Sequence, residues 1–306
     1  MRHHPTNLLR YWKWIGGAVA GASVSLVVAN NCTTSASSPW TPTKPSNVPD
    51  SFGKWDYNWD KREPYSLLKK PKRTQSKSDG ATGGGDQASC DNDISEQLEK
   101  QRAKATRHIF LIRHGQYNTS GETDKEQGLT SPVGESQAQL TGKRLKDSGI
   151  NFTSFTSSYT RRAIQTAEVI WKELEQDELT IDAHDPLLLE GYPCSPEPPV
   201  GGAHPITCYY EDGPRIEAAF RKYFHRASPE QEEDSFEIVV CHANVIRYCV
   251  CRALQFPGEA WHRLSLYNCS ITFLSILPSG RVVLRAFGDV GHMPGDLHTT
   301  KYAVCD

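Results

Sequence analysis

EIVVCHANVIRYCVCRAL, residues 237–254, carries two periodicities back to back. Ile238 to Cys241 form a short unbroken apolar run, the pattern of a strand covered on both faces. Beyond His242, the residues Val245, Ile246, Cys249, Val250, Ala253 and Leu254 recur at helical spacing. A buried strand that passes directly into an amphipathic helix is one half of a β-α-β unit. The same texture begins near residue 105. A strand is expected at 108–113 (HIFLIR), then a helix over PVGESQAQLTGKRLKDSG, with Leu140 and Leu145 on its apolar side. A short strand near 151–156, a helix from about 160 to 176 and a terminal hairpin follow. The hairpin reads SITFLSIL, then the turn Pro278-Ser279-Gly280, then RVVLRAF. Strands alternating with helices predict an α/β fold, a three-layer sandwich with a mostly parallel central sheet covered by helices, in one domain spanning 105–306.

The rest of the chain has a different composition. Residues 14–30, WIGGAVAGASVSLVVAN, carry no charge; Arg2, Arg10 and Lys13 precede them, and Asp50 is the first acidic residue. This is the pattern of a single membrane-anchoring helix near the lower length limit, with a basic flank that orients it. A cleaved signal peptide is the competing reading, because VVA before Asn30 resembles a cleavage site. The boundaries are thus an anchor or targeting segment at 1–31 and a linker at 32–104. Ser, Thr and Pro dominate the linker first, and Gly, Ser and Asp later, a composition too polar to fold unaided. Within it stands KWDYNWDKREP (54–64). Trp55 and Trp59 in so polar a setting point to docking or self-association, with Asp56, Asn58 and Asp60 alongside.

Net charge narrows the choice of partners. With 34 basic against 36 acidic residues the chain is nearly neutral, which argues against nucleic acid. Nine cysteines are an odd number without a repeat, so no disulfide framework is expected. Cys241, Cys249 and Cys251 lie near His242, but they sit in apolar runs without a paired CxxC. Buried thiols are the better reading, and no metal is assigned. Asn31, Asn118, Asn151 and Asn268 begin glycosylation sequons, although a glycan on Asn118 would crowd His114.

In open α/β sheets ligands bind at the carboxyl ends of the strands. Two of the expected strands end in histidine: 109–112 runs into Arg113-His114-Gly115, and 238–241 into His242. SSYTRRAIQTAEVI brings Arg161 and Arg162 to the start of a helix after a third strand. Histidines, arginines and helix amino termini at one sheet edge suit a phosphoryl group.

These residues also carry a resemblance. LIRHG (111–115) is similar to the signature of the histidine phosphatase superfamily, which includes the cofactor-dependent phosphoglycerate mutases and acid phosphatases. GLTSPVGESQAQLTGKRL (128–145), SSYTRRAIQTA (157–167), LLEG (188–191) and VVCHANVIR (239–247) resemble its further motifs in the right order. Closer still is the likeness to the mitochondrial phosphoglycerate-mutase-like serine/threonine protein phosphatases. It rests on HIFLIRHGQY, YYEDGPRIEAAFRKYFHRA, RLSLYNCSIT and, outside the domain, WDYNWDKREP.

The resemblance implies a phosphoglycerate mutase-like fold, with His114 the nucleophile that becomes phosphohistidine and Glu190 the general acid. Arg113, Arg162 and His242 would bind the phosphoryl oxygens; the choice of Arg162 over Arg161 comes from counting back along the motif. It further implies no metal or cofactor, and phosphoserine and phosphothreonine proteins, kinases among them, as substrates. The 54–64 segment would be a homo-oligomerisation motif and 14–30 a single-pass mitochondrial membrane anchor. Gln116 stands where mutases usually have glutamate, and no long insertion of the mutase kind is present, which favours hydrolysis. The alternatives are a small-molecule phosphatase or mutase of the same fold, and a scaffold that binds phosphoproteins through an inherited pocket.

Overall fold

The computed structural model describes residues 53–68, 86–199 and 205–300. The chain divides into two units, 1–55 and 56–306. The expected membrane anchor at 14–30 lies outside the described residues. Among those described, no helix is long and apolar enough to cross a membrane.

Six strands form one sheet in the order β3-β2-β4-β1-β5-β6. They are β1 (Arg107–Arg113), β2 (Ser154–Ser158), β3 (Ala183–Asp185), β4 (Ser235–Cys241), β5 (Ile271–Ile276) and β6 (Val282–Asp289). The first four are parallel, and β5 and β6 form the antiparallel hairpin expected from the terminal turn. All seven residues of β1 are buried, as its apolar run requires of a central strand, and Phe110 stacks on Phe273 of β5 at 4.2 Å.

The helices are α1 (Pro64–Leu67), α2 (Asp86–Lys100), α3 (Val133–Asp147), α4 (Arg161–Leu174), α5 (Ile206–Tyr223) and α6 (Ala243–Ala253). The chain moves from β1 to β2 to β3 in one direction across the sheet, through α3 and α4. It then returns through α5 to β4 and through α6 to β5. Right-handed crossovers therefore put α3 and α4 on one face and α5 on the other, where α6 packs against α5. The expected α/β three-layer sandwich is the observed one. Because α3 follows β1 and α6 follows the adjacent β4, those two strands mark the point where the winding reverses, the usual place for a ligand crevice.

Two elements escaped the sequence reading. β3 is only three residues long. α5 contains Gly213-Pro214, a helix-breaking pair, and Pro214 leaves one main-chain bond unmade. Burial of Ile216, Ala219 and Phe220 at helical spacing holds the helix across that defect.

The linker also holds more structure than its composition suggested. Asp86–Lys100 is helical, and residues 56–68 lie against the domain of their own chain. Asp56 exchanges two hydrogen bonds with Gln255, its amide donating at 2.8 Å and its carbonyl accepting at 2.9 Å. The Trp59 indole donates to the Gly280 carbonyl at 2.8 Å and packs 5.8 Å from the Phe220 ring. Asn58 accepts from the Glu63 amide and the Ser66 hydroxyl, both at 3.2 Å. Asp60 takes three bonds from Arg226, each 2.9 Å long, through its main-chain amide, Nε and Nη2. That pair is sealed, with side-chain exposure of 0% for Asp60 and 3% for Arg226.

Candidate active site

The register of the sheet assembles the site. Arg113 at the end of β1 lies opposite Cys241 at the end of β4, so the next residues, His114 and His242, emerge side by side. Their rings are 5.1 Å apart, centroid to centroid. β2 flanks β4 on its other side and delivers Ser158, Thr160 and the start of α4 to the same edge. β3 pairs Asp185 with Ser158, and the turn Pro186–Leu188 then carries the chain to Glu190. The sequence-derived residues Arg113, His114, Arg162, Glu190 and His242 all come from the carboxyl end of this sheet.

His114 is 3% exposed, and its Nδ1 lies 2.8 Å from the Gly115 carbonyl. A carbonyl only accepts, so Nδ1 carries the proton and Nε2 is left as the basic nitrogen. The backbone behind His114 is equally constrained. Its amide donates to the Cys241 carbonyl at 2.9 Å, and Asn268 Nδ2 donates to its carbonyl at 3.0 Å. That buried amide leaves the Asn268 sequon no room for a glycan. A Cβ on Gly115 would stand 2.9 Å from the Gly134 carbonyl and Leu129, which keeps this position small.

His242 Nε2 lies 2.9 Å from the Ser158 hydroxyl and 3.3 Å from that of Thr160. Its Nδ1 is buried with no hydrogen-bond partner among the described residues. Burial, helped by His114, Arg162 and Arg113, holds the imidazole well below the usual histidine range, so it is neutral at pH 7.

Arg113 gives Nη1 to the Leu266 carbonyl at 2.6 Å, while its Nε is buried and has no partner among the described residues. Burial pulls its pKa down to about 10, still leaving it a cation near neutrality. Arg162 lies with its guanidinium 4.7 Å from the centre of the Tyr117 ring, and that ring stands edge-on to His114 at 5.1 Å. Arg162 Nη1 also meets Gln127 at 3.3 Å and Asp124 at 3.6 Å. Its Nε, like that of Arg113, is buried without a partner among the described residues. Buried guanidinium nitrogens with no protein partner among the described residues are suited to binding an anion. Arg161, the alternative considered from sequence, is exposed and turned away over Gly128.

Glu190 is held from behind. Arg215 on α5 donates to the carbonyls of Leu187, Leu189 and Glu190 at 3.1, 2.6 and 3.1 Å, and pairs with Asp212 at 2.7 Å. Asn244 adds a bond to the Gly191 carbonyl at 3.0 Å. Glu190, Leu189, Thr160, Arg162, Asp124 and Tyr159 line a cleft of about 390 Å³. Burial raises the Glu190 pKa against the opposing pull of Arg113, the Gly191 amide, Arg162 and Arg247. A carboxyl whose pKa burial raises is better suited than an exposed one to protonate a leaving group.

Sequence reasoning missed Tyr117, Ser158, Thr160, Asn268 and the clamp residues Arg215, Asp212 and Asn244. Ser158 and Thr160 border motifs already singled out, whereas the partners of Asn268 and Arg215 lie far away in the chain. No group of three His, Cys, Asp or Glu able to hold a metal occurs among the described residues, and Cys241, Cys249 and Cys251 are buried thiols.

A model of the histidine phosphatase superfamily, branch 1, matches residues 109–187 and 202–288. The chain is 50% identical over 258 residues to a rat (Rattus norvegicus) protein named serine/threonine-protein phosphatase PGAM5, mitochondrial; the match covers 84% of this chain and 82% of the rat one. It is 47% identical over 281 residues to the protein of the same name from Xenopus laevis, covering 92% and 95% of the two chains. Among solved structures, it is similar to a phosphoglycerate mutase from Plasmodium falciparum at 36% identity and a TM-score of 0.44, over 65% of this chain and 100% of that one.

Proposed function

The chain belongs to the histidine phosphatase superfamily, and from that premise we propose that it is a metal-independent serine/threonine protein phosphatase acting through phosphohistidine on His114. The observation that carries this reading is the imidazole with Nδ1 committed to the Gly115 carbonyl, beside two underused arginines and a carboxyl whose pKa burial raises. The serine/threonine protein class comes from the names of the rat and Xenopus relatives.

In the first step His114 Nε2 attacks phosphorus and the ester oxygen leaves, taking the Glu190 proton. Arg113, Arg162 and His242 hold the non-bridging oxygens, and the two arginines balance the charge that builds there. In the second step the Glu190 carboxylate takes a proton from water, the water oxygen attacks phosphorus, and His114 leaves. Phosphate is released and Glu190 is again protonated.

Glu190→Gln tests the acid. On a phosphoserine peptide kcat/KM is expected to fall by roughly 10²- to 10⁴-fold, the range for a lost general acid. On para-nitrophenyl phosphate, whose leaving group needs no proton, the fall should be much smaller. Only protonated Glu190 is competent in the first step, so wild-type kcat/KM should decline as pH rises through its elevated pKa. The Gln variant should lack that limb. Equal losses on both esters, or an unchanged pH profile, would remove Glu190 from this role. Turnover of 3-phosphoglycerate above that of phosphopeptides would favour a small-molecule enzyme instead.

The same reading extends to the rest of the chain: a mitochondrial location, a membrane anchor at 14–30 and homo-oligomers formed through 54–64. The name of the relatives supports the first. For the third, the contacts that Trp59 and Asp60 make within one chain are equally available between two chains that exchange this segment. Trp59→Ala is expected to lower the mass measured by light scattering, and an unchanged mass would rule out assembly through this segment.

A further inference from the structure

A second cleft of about 430 Å³ adjoins the first, and Asp124 and Tyr159 belong to both. Its far part follows one face of α4, where Arg161, Ile164 and Glu168 stand three and four residues apart. Lys125 faces them from the loop before α3. This cleft holds none of the residues assigned to the chemistry.

Its character differs from that of the phosphoryl pocket. His114 and Arg162 are buried, so a phosphate monoester must enter deeply while the rest of the substrate remains outside. Tyr159 stands at the shared rim with 61% of its surface exposed, a large apolar ring held in water with a hydroxyl at its tip. Asp124 is already engaged, with Oδ2 accepting from the Arg161 amide at 3.0 Å and Oδ1 near Arg162. Gln165 is engaged by the Leu129 amide at 2.9 Å. What faces outward is an aromatic rim, an aliphatic floor at Ile164, cations at Lys125 and Arg161, and an anion at Glu168 one helical turn beyond Ile164. Apolar surface combined with charges of both signs along an open trough matches an extended polypeptide. A small phosphoester that fills the first cleft would leave the second empty.

We infer that this second cleft is the subsite for the polypeptide chain that carries the phosphoryl group, which crosses the Tyr159 ring and runs along the first two turns of α4. The inference rests on the phosphatase reading of the first cleft and deepens it, since it assigns a physical basis for acting on proteins. An acidic substrate residue close to the phosphorylated one would meet Lys125 and Arg161.

The test uses the full chain and two variants that fill the trough, Ile164→Trp and Glu168→Trp. Each is compared with wild type on a phosphoserine peptide of about ten residues and on para-nitrophenyl phosphate. The expected result is at least a tenfold loss of kcat/KM on the peptide, with kcat/KM on the small ester within twofold. The small ester also reports folding, and the exposed Glu168 position guards against failure of the partly buried Ile164 one. Equal effects on both substrates in both variants, or none on the peptide, overturns the subsite. Binding of a fluorescent phosphopeptide is measured in parallel on a His114→Ala background, with and without each Trp substitution. A tenfold weakening there supports the subsite even if wild type hydrolyses neither substrate, a result that would sink the phosphatase reading alone. Unchanged binding overturns the subsite whatever the turnover.

Discussion

His114→Ala should lower kcat on a phosphoserine peptide by roughly 10⁴-fold or more, the scale on which an enzyme loses its nucleophile. The loss should be one of chemistry rather than binding. Arg113, Arg162 and His242 each have their own supports, in the Leu266 carbonyl, the Tyr117 ring and the Ser158 hydroxyl. The Leu266 and Ser158 supports do not run through the His114 ring. Tyr117 packs edge-on to that ring but also carries the Arg162 guanidinium, so the variant should still bind inorganic phosphate, with no more than a modest loss of affinity. The small ester should suffer as heavily as the peptide, in contrast to Glu190→Gln, because no leaving group dispenses with the nucleophile. Rapid quench of wild type with a ³²P-labelled substrate should trap an acid-labile, alkali-stable phosphoryl group on the protein, absent from the variant. Wild-type turnover in the alanine variant would end the proposed mechanism, and so would a trapped label that persisted without His114.

The second large effect is on stability. Asp60→Ala leaves the Arg226 guanidinium buried with its carboxylate removed, a situation that costs about 3–5 kcal/mol in other buried pairs. For a domain of this size that amounts to a fall in Tm on the order of 10 °C. The Tyr57 carbonyl would remain as a partner for Arg226 but brings no countercharge. Asp60→Ala with Arg226→Met removes both charges and should recover much of the loss. Acid dependence supplies a sign check. Burial pushes the Asp60 pKa up, but the hydrogen bonds and charge of Arg226 outweigh it, and the net shift is downward. A depressed carboxylate contributes stability above its unfolded value of about 3.9 and loses it as pH falls towards the folded value. The gap between wild type and Asp60→Ala should therefore close below about pH 4. Thermal unfolding followed by circular dichroism across that range measures it. An unchanged Tm at pH 7 would mean that residues 56–62 do not dock on their own domain in solution.

Legibility in the sequence followed the range of the interactions. β1, β4 and α6 were readable because burial on both faces, or on one stripe, imposes a pattern on consecutive residues. The two histidines were readable because each directly follows such a strand. α5 was hidden by Asp212-Gly213-Pro214, where tertiary burial of Ile216 and Phe220 overrides local breaker chemistry. Asp60 read only as part of a docking or self-association segment, because Arg226 lies 166 positions away and nothing in the local composition announces which partner it takes. Arg162 could be separated from Arg161 only by a motif, since both start the same helix. In the structure one is buried against Tyr117 and the other exposed. The Arg215 clamp is likewise invisible locally, because it acts on carbonyls, and every residue has one.

The clamp also divides the molecule's labour mechanically. The imidazole pair is spaced by strand pairing in the middle of the sheet, one of the stiffest parts of such a domain, whereas Glu190 hangs on main-chain bonds to one arginine of an imperfect helix. A disturbance of α5, by a bound partner or by a substitution on its outer face, would thus reach Glu190 and leave His114 where it is. If Glu190 and His114 act as proposed, leaving-group chemistry can be tuned through α5 without moving the histidine pair.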